Sequence, residues 1–361
     1  MPSTEKISSQ RFVSLDIARG IAIFGMIFID SILIFSNFPS QQYAGIYPYQ
    51  LYQIQATLLF VSGASLFFWF QTLSPKQGWV RVLKRFCLLV FGFWIFKWFV
   101  IGSSNVIVWE VLVMLGVLTL ALWTVRGMSR HFYLITGFII FLIAVPVQFW
   151  LNPDQYWHAA RYFGSEEILN KHDLYSLRML ATGFLGVGWY PVFPWLGFGF
   201  IGYWFAFLMK EKSLKAPVVL ACGSLFAGFS ILIVNAAFFG QRLFEFGVWP
   251  AMTFPTVLIY LGVNMLLIVT IYKVFDERKK TMKWVATPLF NIGQNAIKFY
   301  IFGFCLTILF AKNVNLYFLE GFWDAVLIGS VTIVTLYGLF HQPRYGAHEP
   351  LQKKSKKNII N

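Results

Sequence analysis

Apolar segments of about 20 residues recur along almost the whole of this 361-residue chain, and this recurrence constrains the fold more than any other feature. A helix of that length crosses a hydrocarbon core of about 30 Å. The chain is 58% hydrophobic and only 12% charged, whereas about a quarter of the residues of a soluble domain are charged. We therefore expect an all-α, polytopic membrane protein.

The apolar pattern predicts about ten transmembrane helices. Their expected bounds are 17–37, 50–73, 82–101, 105–125, 131–151, 188–209, 216–238, 250–273, 286–310 and 322–341. Counted with the two termini, 22 of the 29 Lys and Arg residues fall in or beside alternate connections, all on one side of these spans. Basic connections stay in the cytoplasm. Both termini are therefore predicted to be cytoplasmic (N-in/C-in), with the protein in the cytoplasmic (inner) membrane.

We divide the chain into a single transmembrane domain, 1–345, and a basic cytoplasmic tail, 346–361, which is predicted to be disordered close to anionic lipid headgroups. The longest external connection, 152–187, is interpreted either as a loop that covers a site or as a solvated connection. Its last third is a candidate interfacial or re-entrant helix. The net charge of +14 is explained by topology, so membrane lipids and not nucleic acid are the expected partners.

Four ionisable residues lie inside predicted spans, where a charge is expensive unless it is paired or faces water. They are Asp30, Lys97, Glu110 and Lys298. Lys97 and Glu110 flank one short external turn and can form an ion pair between neighbouring helices. The functional interpretation is an externally open pocket in which Asp30 or Glu110 takes a proton from an incoming hydroxyl or amine. Lys298, beside Gln294 and Asn295, suggests a polar core between helices.

A basic cluster, Arg81, Lys84 and Arg85, stands at the cytoplasmic start of the third span. Its spacing places the three side chains on one helical face, where they anchor the topology or clamp the phosphates of a nucleotide-like donor. The five histidines have no metal-ligand spacing, and no metal is expected.

Short motifs in a fixed order resemble the heparan-α-glucosaminide N-acetyltransferase family and its bacterial relatives. The first stretch matches the family at Arg11, Ser14, Leu15, Asp16, Arg19, Gly20, Ile21, Ala22, Met26 and Asp30. The later matches are Phe60–Leu66, Arg81–Gly92, Tyr190–Gly197 with Gly202, Trp249-Pro250 with Phe254-Pro255, and Gly293–Ala296 with Tyr300. They span nearly the whole chain.

The resemblance implies a ten-helix transmembrane acyltransferase. Such a protein takes an acyl group from cytosolic acyl-CoA, with acetyl-CoA as the expected co-substrate, and delivers it to a sugar hydroxyl or amine on the opposite side. Arg81, Lys84 and Arg85 then become candidate contacts for the CoA phosphates, and Asp30, Glu110 and Lys97 candidate catalytic residues.

One departure from the family pattern concerns its catalytic histidine, which the resemblance places at or just after the end of the first helix. This chain has no histidine from Asp30 through Gln55. Either Asp30 takes that role, or a histidine of the 152–187 loop does, or this member has lost acyl transfer. Two functions stay open: an acyltransferase acting on a cell-envelope glycan or glycolipid, and a non-catalytic transporter, flippase-like or lipid- or glycan-binding membrane protein. Homo-oligomerisation is also left open.

Overall fold

The computed structural model describes residues 12–35, 47–101, 110–150, 183–187, 190–239, 253–278, 283–313 and 322–340, which are almost entirely helical and include no strand. The α-helices of these residues are α1 Val13–Phe35, α2 Tyr47–Gln71, α3 Pro75–Ile101, α4 Val111–Thr124, α5 Arg130–Trp150, α6 Val192–Lys210, α7 Lys215–Phe239, α8 Phe254–Tyr272, α9 Lys283–Gln294, α10 Ala296–Asn313 and α11 Phe322–Phe340. Two π-helical turns, Gly183–Val187 and Lys273–Glu277, accompany them. The all-α prediction is confirmed for this part of the chain.

Each predicted span overlaps a helix, but the ninth differs from the expectation. The segment 286–310 is two helices, α9 and α10, separated at Asn295. At this junction the Asn291 carbonyl accepts both the backbone N–H of Asn295 (3.3 Å) and its side-chain amide (3.2 Å). Lys298, which the sequence places within the ninth span, therefore lies in the first turn of α10, next to this junction.

Five stretches of the described chain are long and apolar enough to cross a membrane: Gln53–Gln71, Arg130–Val147, Val192–Lys210, Lys215–Asn235 and Phe254–Glu277. Shorter apolar helices add Val111–Thr124, Ala296–Thr307 and Leu327–Leu339. Large apolar side chains are exposed along α3, α5 and α7, such as Phe99 (74%) and Phe226 (77%). A surface of this kind requires lipid around it, and the chain is an integral membrane protein. The count of ten spans and the cytoplasmic termini stay predictions.

Short connections bring several helix ends together at one end of the bundle. These connections are 72–74 between α2 and α3, 125–129 between α4 and α5, and 211–214 between α6 and α7. The last two are joined by an ion pair of 2.8 Å between Arg130 and Glu211. Because these connections and their flanking turns are rich in Lys and Arg, we call this the basic end.

Glycines allow α2 and α6 to pack backbone against backbone. A Cβ added at Gly63 would lie 1.9 Å from the Gly199 carbonyl oxygen, and one at Gly202 would lie 2.0 Å from the Phe60 carbonyl oxygen. Small residues at such crossings are the usual means by which membrane helices approach closely. Gly63 belongs to the motif Phe60–Leu66, and Gly202 belongs to the motif Tyr190–Gly197 with Gly202. Part of the motif pattern therefore reflects helix packing.

The N-terminus of α1 is held by a carboxylate from a distant part of the sequence. Asp276, in the second π-helical turn, accepts hydrogen bonds from the backbone N–H groups of Val13 (2.9 Å) and Ser14 (3.0 Å). Both are among the N–H groups that a helix leaves without a partner in its first turn, and the negative charge favours the helix dipole. Asp276 therefore fixes the start of the helix that carries Asp16 and Arg19.

We expect Asp276→Ala to lower the free energy of unfolding by about 1–2 kcal/mol, since it removes both acceptors of this cap. Thermal unfolding of the protein in detergent measures the change. Glu277→Ala is the matched control, because Glu277 is the next residue and is exposed. Equal melting temperatures for the two variants would show that the cap does not stabilise α1.

Candidate functional site

A cavity of about 660 Å³ lies between α1, α2, α3, α4 and the α9–α10 junction. Phe12 and Thr72 line it, which places it near the basic end. Its polar wall consists of Asp16, Arg19, Ser62, Ser65, Arg85, Gln294, Asn295, Lys298 and Tyr300. The rest of the wall is largely apolar. A pocket of this size with a few convergent polar groups is typical of a small-molecule site.

Arg19 is fixed in the cavity wall by three helices. Its guanidinium pairs with Asp16 one turn earlier in α1 (2.9 Å), donates to the Gly293 carbonyl in α9 (3.0 Å), and donates to the Ser65 hydroxyl in α2. Ser65 in turn donates to the Val61 carbonyl at 2.7 Å. A guanidinium held at a fixed position by so many partners is pre-organised for a planar anion such as phosphate or carboxylate.

The contact between α1 and α9 requires glycine on both sides. A Cβ at Gly293 would lie 1.7 Å from the Asp16 carbonyl oxygen, and one at Gly20 would lie 1.9 Å from the Leu289 carbonyl oxygen. The backbones touch at this crossing, and this contact presents the Gly293 carbonyl to Arg19.

Gly293→Ala should cost about 1–3 kcal/mol of stability, because the added methyl group forces α9 away from α1. Gly223→Ala is the matched control: Gly223 lies within α7, and a Cβ there meets nothing within 4 Å. Thermal unfolding of the two variants in the same detergent makes the comparison. A Gly293→Ala protein as stable as Gly223→Ala would mean that the helices are less closely packed than described.

Arg85 reaches the same cavity from α3. Its guanidinium lies 5.0 Å from the centroid of the Trp69 ring, a cation–π contact, and its Nε atom is buried without a hydrogen-bond partner among the described residues. The positive charges of Arg85 and Arg19 act on each other across the cavity. An anion placed between the two guanidinium groups would relieve both this repulsion and the unsatisfied donor.

Lys298 adds a third cationic side chain to the cavity wall. It is exposed and lies in the first turn of α10. Its sequence neighbours Gln294 and Asn295 line the same cavity between helices. The depth of Lys298 in the membrane stays a prediction.

Beyond the cavity, acidic and phenolic side chains from several helices surround the part of α1 that carries Asp30. Asp30 is half-buried, and its charge and that of Glu110 act on each other. Tyr300, 2% exposed, is within electrostatic range of Asp30, Glu110 and Tyr190. Because Tyr300 also lines the cavity, it connects the cationic wall to the carboxylates. From Arg19 to Asp30 the rise along α1 is about 16 Å.

The structure separates the predicted basic cluster. Arg85 lines the cavity, whereas Arg81 and Lys84 are exposed on α3 and are absent from the described cavity wall. Asp30 and Glu110 lie within electrostatic range of each other, and their shared catalytic site stays a prediction. The side chain of Lys97 lies outside the described residues, as do the predicted re-entrant part of the 152–187 loop apart from the π-helical turn, its histidines His158 and His172, and the basic tail.

Arg19, Ser62 and Ser65 belong to the family-like motifs, but the sequence alone offered no reason to place them in a site. The available signal was the Asp16–Arg19 spacing at the start of an apolar run: two opposite charges one turn apart indicate an internal pair. Asp276 carried no such signal, because its partners are backbone groups about 260 residues away.

The fold and the site together define an integral membrane protein with a cationic cavity near one end of a helical bundle and paired carboxylates beyond it. The sequence model of the family described as heparan-alpha-glucosaminide N-acetyltransferase, catalytic, matches residues 11–232. The chain belongs to this family, as its motifs indicated. The match includes Arg19, Asp30, Ser65, Arg85 and Glu110. No curated protein matches the chain significantly.

Proposed function

We propose that this membrane acetyltransferase-like protein is an active acyltransferase. It takes an acyl group, acetyl in the simplest case, from acyl-CoA on the cytoplasmic side of the inner membrane. It passes that group to a sugar hydroxyl or amine of an envelope glycan or glycolipid on the other side. In this proposal the basic end, with both chain termini, faces the cytoplasm.

The observation that carries the proposal is the pair of guanidinium groups, Arg19 and Arg85, that line the same cavity, with the Nε of Arg85 buried and without a partner among the described residues. CoA carries a pyrophosphate and a further phosphate, and arginine binds such groups by paired N–H donors. Lys298 would contribute a third charge. The pantetheine arm would then follow the apolar wall towards Tyr300.

The carboxylates supply a route for the reaction. As the acceptor oxygen or nitrogen attacks the thioester carbonyl carbon, Asp30 or Glu110 takes its proton. A C–O or C–N bond forms and the C–S bond breaks. The thiolate takes up the proton that the carboxyl group has accepted, so CoA leaves as the thiol and the carboxylate is restored. Tyr300 is the candidate donor of a hydrogen bond to the carbonyl oxygen, where negative charge develops.

Radiolabelled acetyl-CoA, supplied to the purified protein in proteoliposomes with an envelope glycolipid extract, tests this function. We expect label to appear in the glycolipid fraction in proportion to time and protein. Binding of acetyl-CoA without transfer to any supplied acceptor would favour the competing non-catalytic function, which the missing histidine after α1 supports. If the protein neither binds acetyl-CoA nor transfers label, the acyltransferase function is excluded.

A further inference from the structure

A second cavity, of about 850 Å³, lies at the basic end between α7, α8 and the second π-helical turn. Three lysines line it, Lys212, Lys215 and Lys273, together with the acids Asp276 and Glu277. Its apolar lining comes from Phe12, Leu214, Val218, Val219 and Tyr272. We call this cavity the lysine groove.

The positive charge of the lysine groove is not fully compensated by the protein. Among the described residues, none of the three lysine side chains makes an ion pair or a hydrogen bond. Both carboxylate oxygens of Asp276 are committed to the backbone of α1, at 2.9 and 3.0 Å. Asp276 keeps its negative charge while it accepts these bonds, so together with Glu277 it opposes the three lysines, and the groove wall keeps a net charge of +1 that favours an anion.

The groove continues into an apolar stripe on the surface of α7. Val219 lines the groove and is 72% exposed, and Phe226 and Ile233 follow at intervals of seven residues with exposures of 77% and 55%. Residues seven apart lie on one face of a helix. A ligand with a charged head in the groove could therefore extend apolar chains along α7 for about 20 Å.

We propose that the lysine groove binds an anionic phospholipid, with its phosphate headgroup at Lys212, Lys215 and Lys273 and its acyl chains along Val219, Phe226 and Ile233. Basic pockets between helices at the cytoplasmic boundary of a membrane recognise such headgroups. The stripe distinguishes a lipid from free phosphate, because only the lipid also covers the exposed apolar face. This proposal does not depend on acyl transfer.

Native mass spectrometry of the full chain tests the site, after reconstitution with phosphatidylglycerol or phosphatidylcholine. We expect the wild type to retain phosphatidylglycerol at least about tenfold more than the variant in which Lys212, Lys215 and Lys273 are all changed to Gln, a loss of about 1.4 kcal/mol. A matched variant, with Arg81, Lys84 and Arg278 changed to Gln, removes three exposed charges from the same end and should retain lipid like the wild type. Circular dichroism and size-exclusion chromatography check that both variants fold.

Equal retention by the two variants would overturn the proposal, as would equal retention of phosphatidylcholine by the wild type. Competition with inorganic phosphate separates the two sources of the anion. If millimolar phosphate displaces the lipid completely, a free phosphate site is present instead. Should the Gln variant fail to fold, Val219→Glu is a second test, since a charge at the start of the stripe should lower retention while leaving all three lysines in place.

Discussion

The Arg85→Ala variant should bind acetyl-CoA about 10- to 100-fold more weakly than the wild type. Arg85 provides a guanidinium at the cavity wall, and its buried Nε finds no partner within the described protein. The expected loss corresponds to one hydrogen-bonded charge pair with a phosphate. Isothermal titration calorimetry of the purified protein in nanodiscs measures it.

Arg81→Ala is the matched control for this prediction. Arg81 lies one turn earlier on α3 and is exposed outside the cavity, so its removal should leave the affinity unchanged within error. Arg19 is less suitable for the first test, because its contacts with α2 and α9 also hold the helices together. If Arg81→Ala and Arg85→Ala changed the affinity for acetyl-CoA equally, acetyl-CoA would bind outside the cavity.

Asp30→Asn and Glu110→Gln should each lower turnover, and the variant that removes the general base should lower it about 10²- to 10⁴-fold. Both substitutions keep the shape of the side chain while removing its ability to accept a proton. Acetyl-CoA affinity should stay close to that of the wild type, because the carboxylates lie beyond the cationic wall. Single-turnover transfer and calorimetry on the same preparations separate the two quantities.

Glu211→Gln is the control for the carboxylate variants. Glu211 is exposed at the basic end and pairs with Arg130, so its replacement should not affect turnover. If both Asp30→Asn and Glu110→Gln transferred acetyl groups at the wild-type rate, the carboxylates would not be the base. A group from elsewhere in the chain, such as His158 or His172, would then become the candidate.

Much of the fold follows from hydropathy alone, because each apolar segment must satisfy its backbone groups internally and so becomes a helix. The break at Asn295 could not be predicted in this way. Residues on both sides of it are apolar enough for one span, and the local bonds of Asn295 to Asn291 leave no trace in the hydropathy pattern.

The site was predicted in part. Asp30 and Glu110 are candidates because charges inside apolar spans are rare, and in the structure their charges act on each other. Their catalytic role stays a prediction. Arg81 and Lys84 were grouped with Arg85 by helical spacing. Spacing, however, does not show which part of a helix surface a neighbouring helix covers. Arg19 depends on partners in α2 and α9 that only the tertiary structure reveals.

The glycine positions have a similar explanation. In the sequence Gly20 and Gly293 are motif residues with no evident role. In the structure they allow the backbones of α1 and α9 to touch, and that contact orients the Gly293 carbonyl, which accepts a hydrogen bond from Arg19. Close packing and the proposed donor site thus share residues, so the motifs by themselves could not separate the two.

The most direct test of the proposed donor site is photo-crosslinking with an acyl-CoA that carries a photoreactive group in its acyl chain, followed by peptide mapping. We predict crosslinks in the cavity wall, at Leu58–Ser65 of α2 or around Tyr300 of α10, which excess acetyl-CoA abolishes and Arg85→Ala weakens. If every crosslink that excess acetyl-CoA abolishes lay outside the cavity, for example in the lysine groove, the proposed donor site would be contradicted.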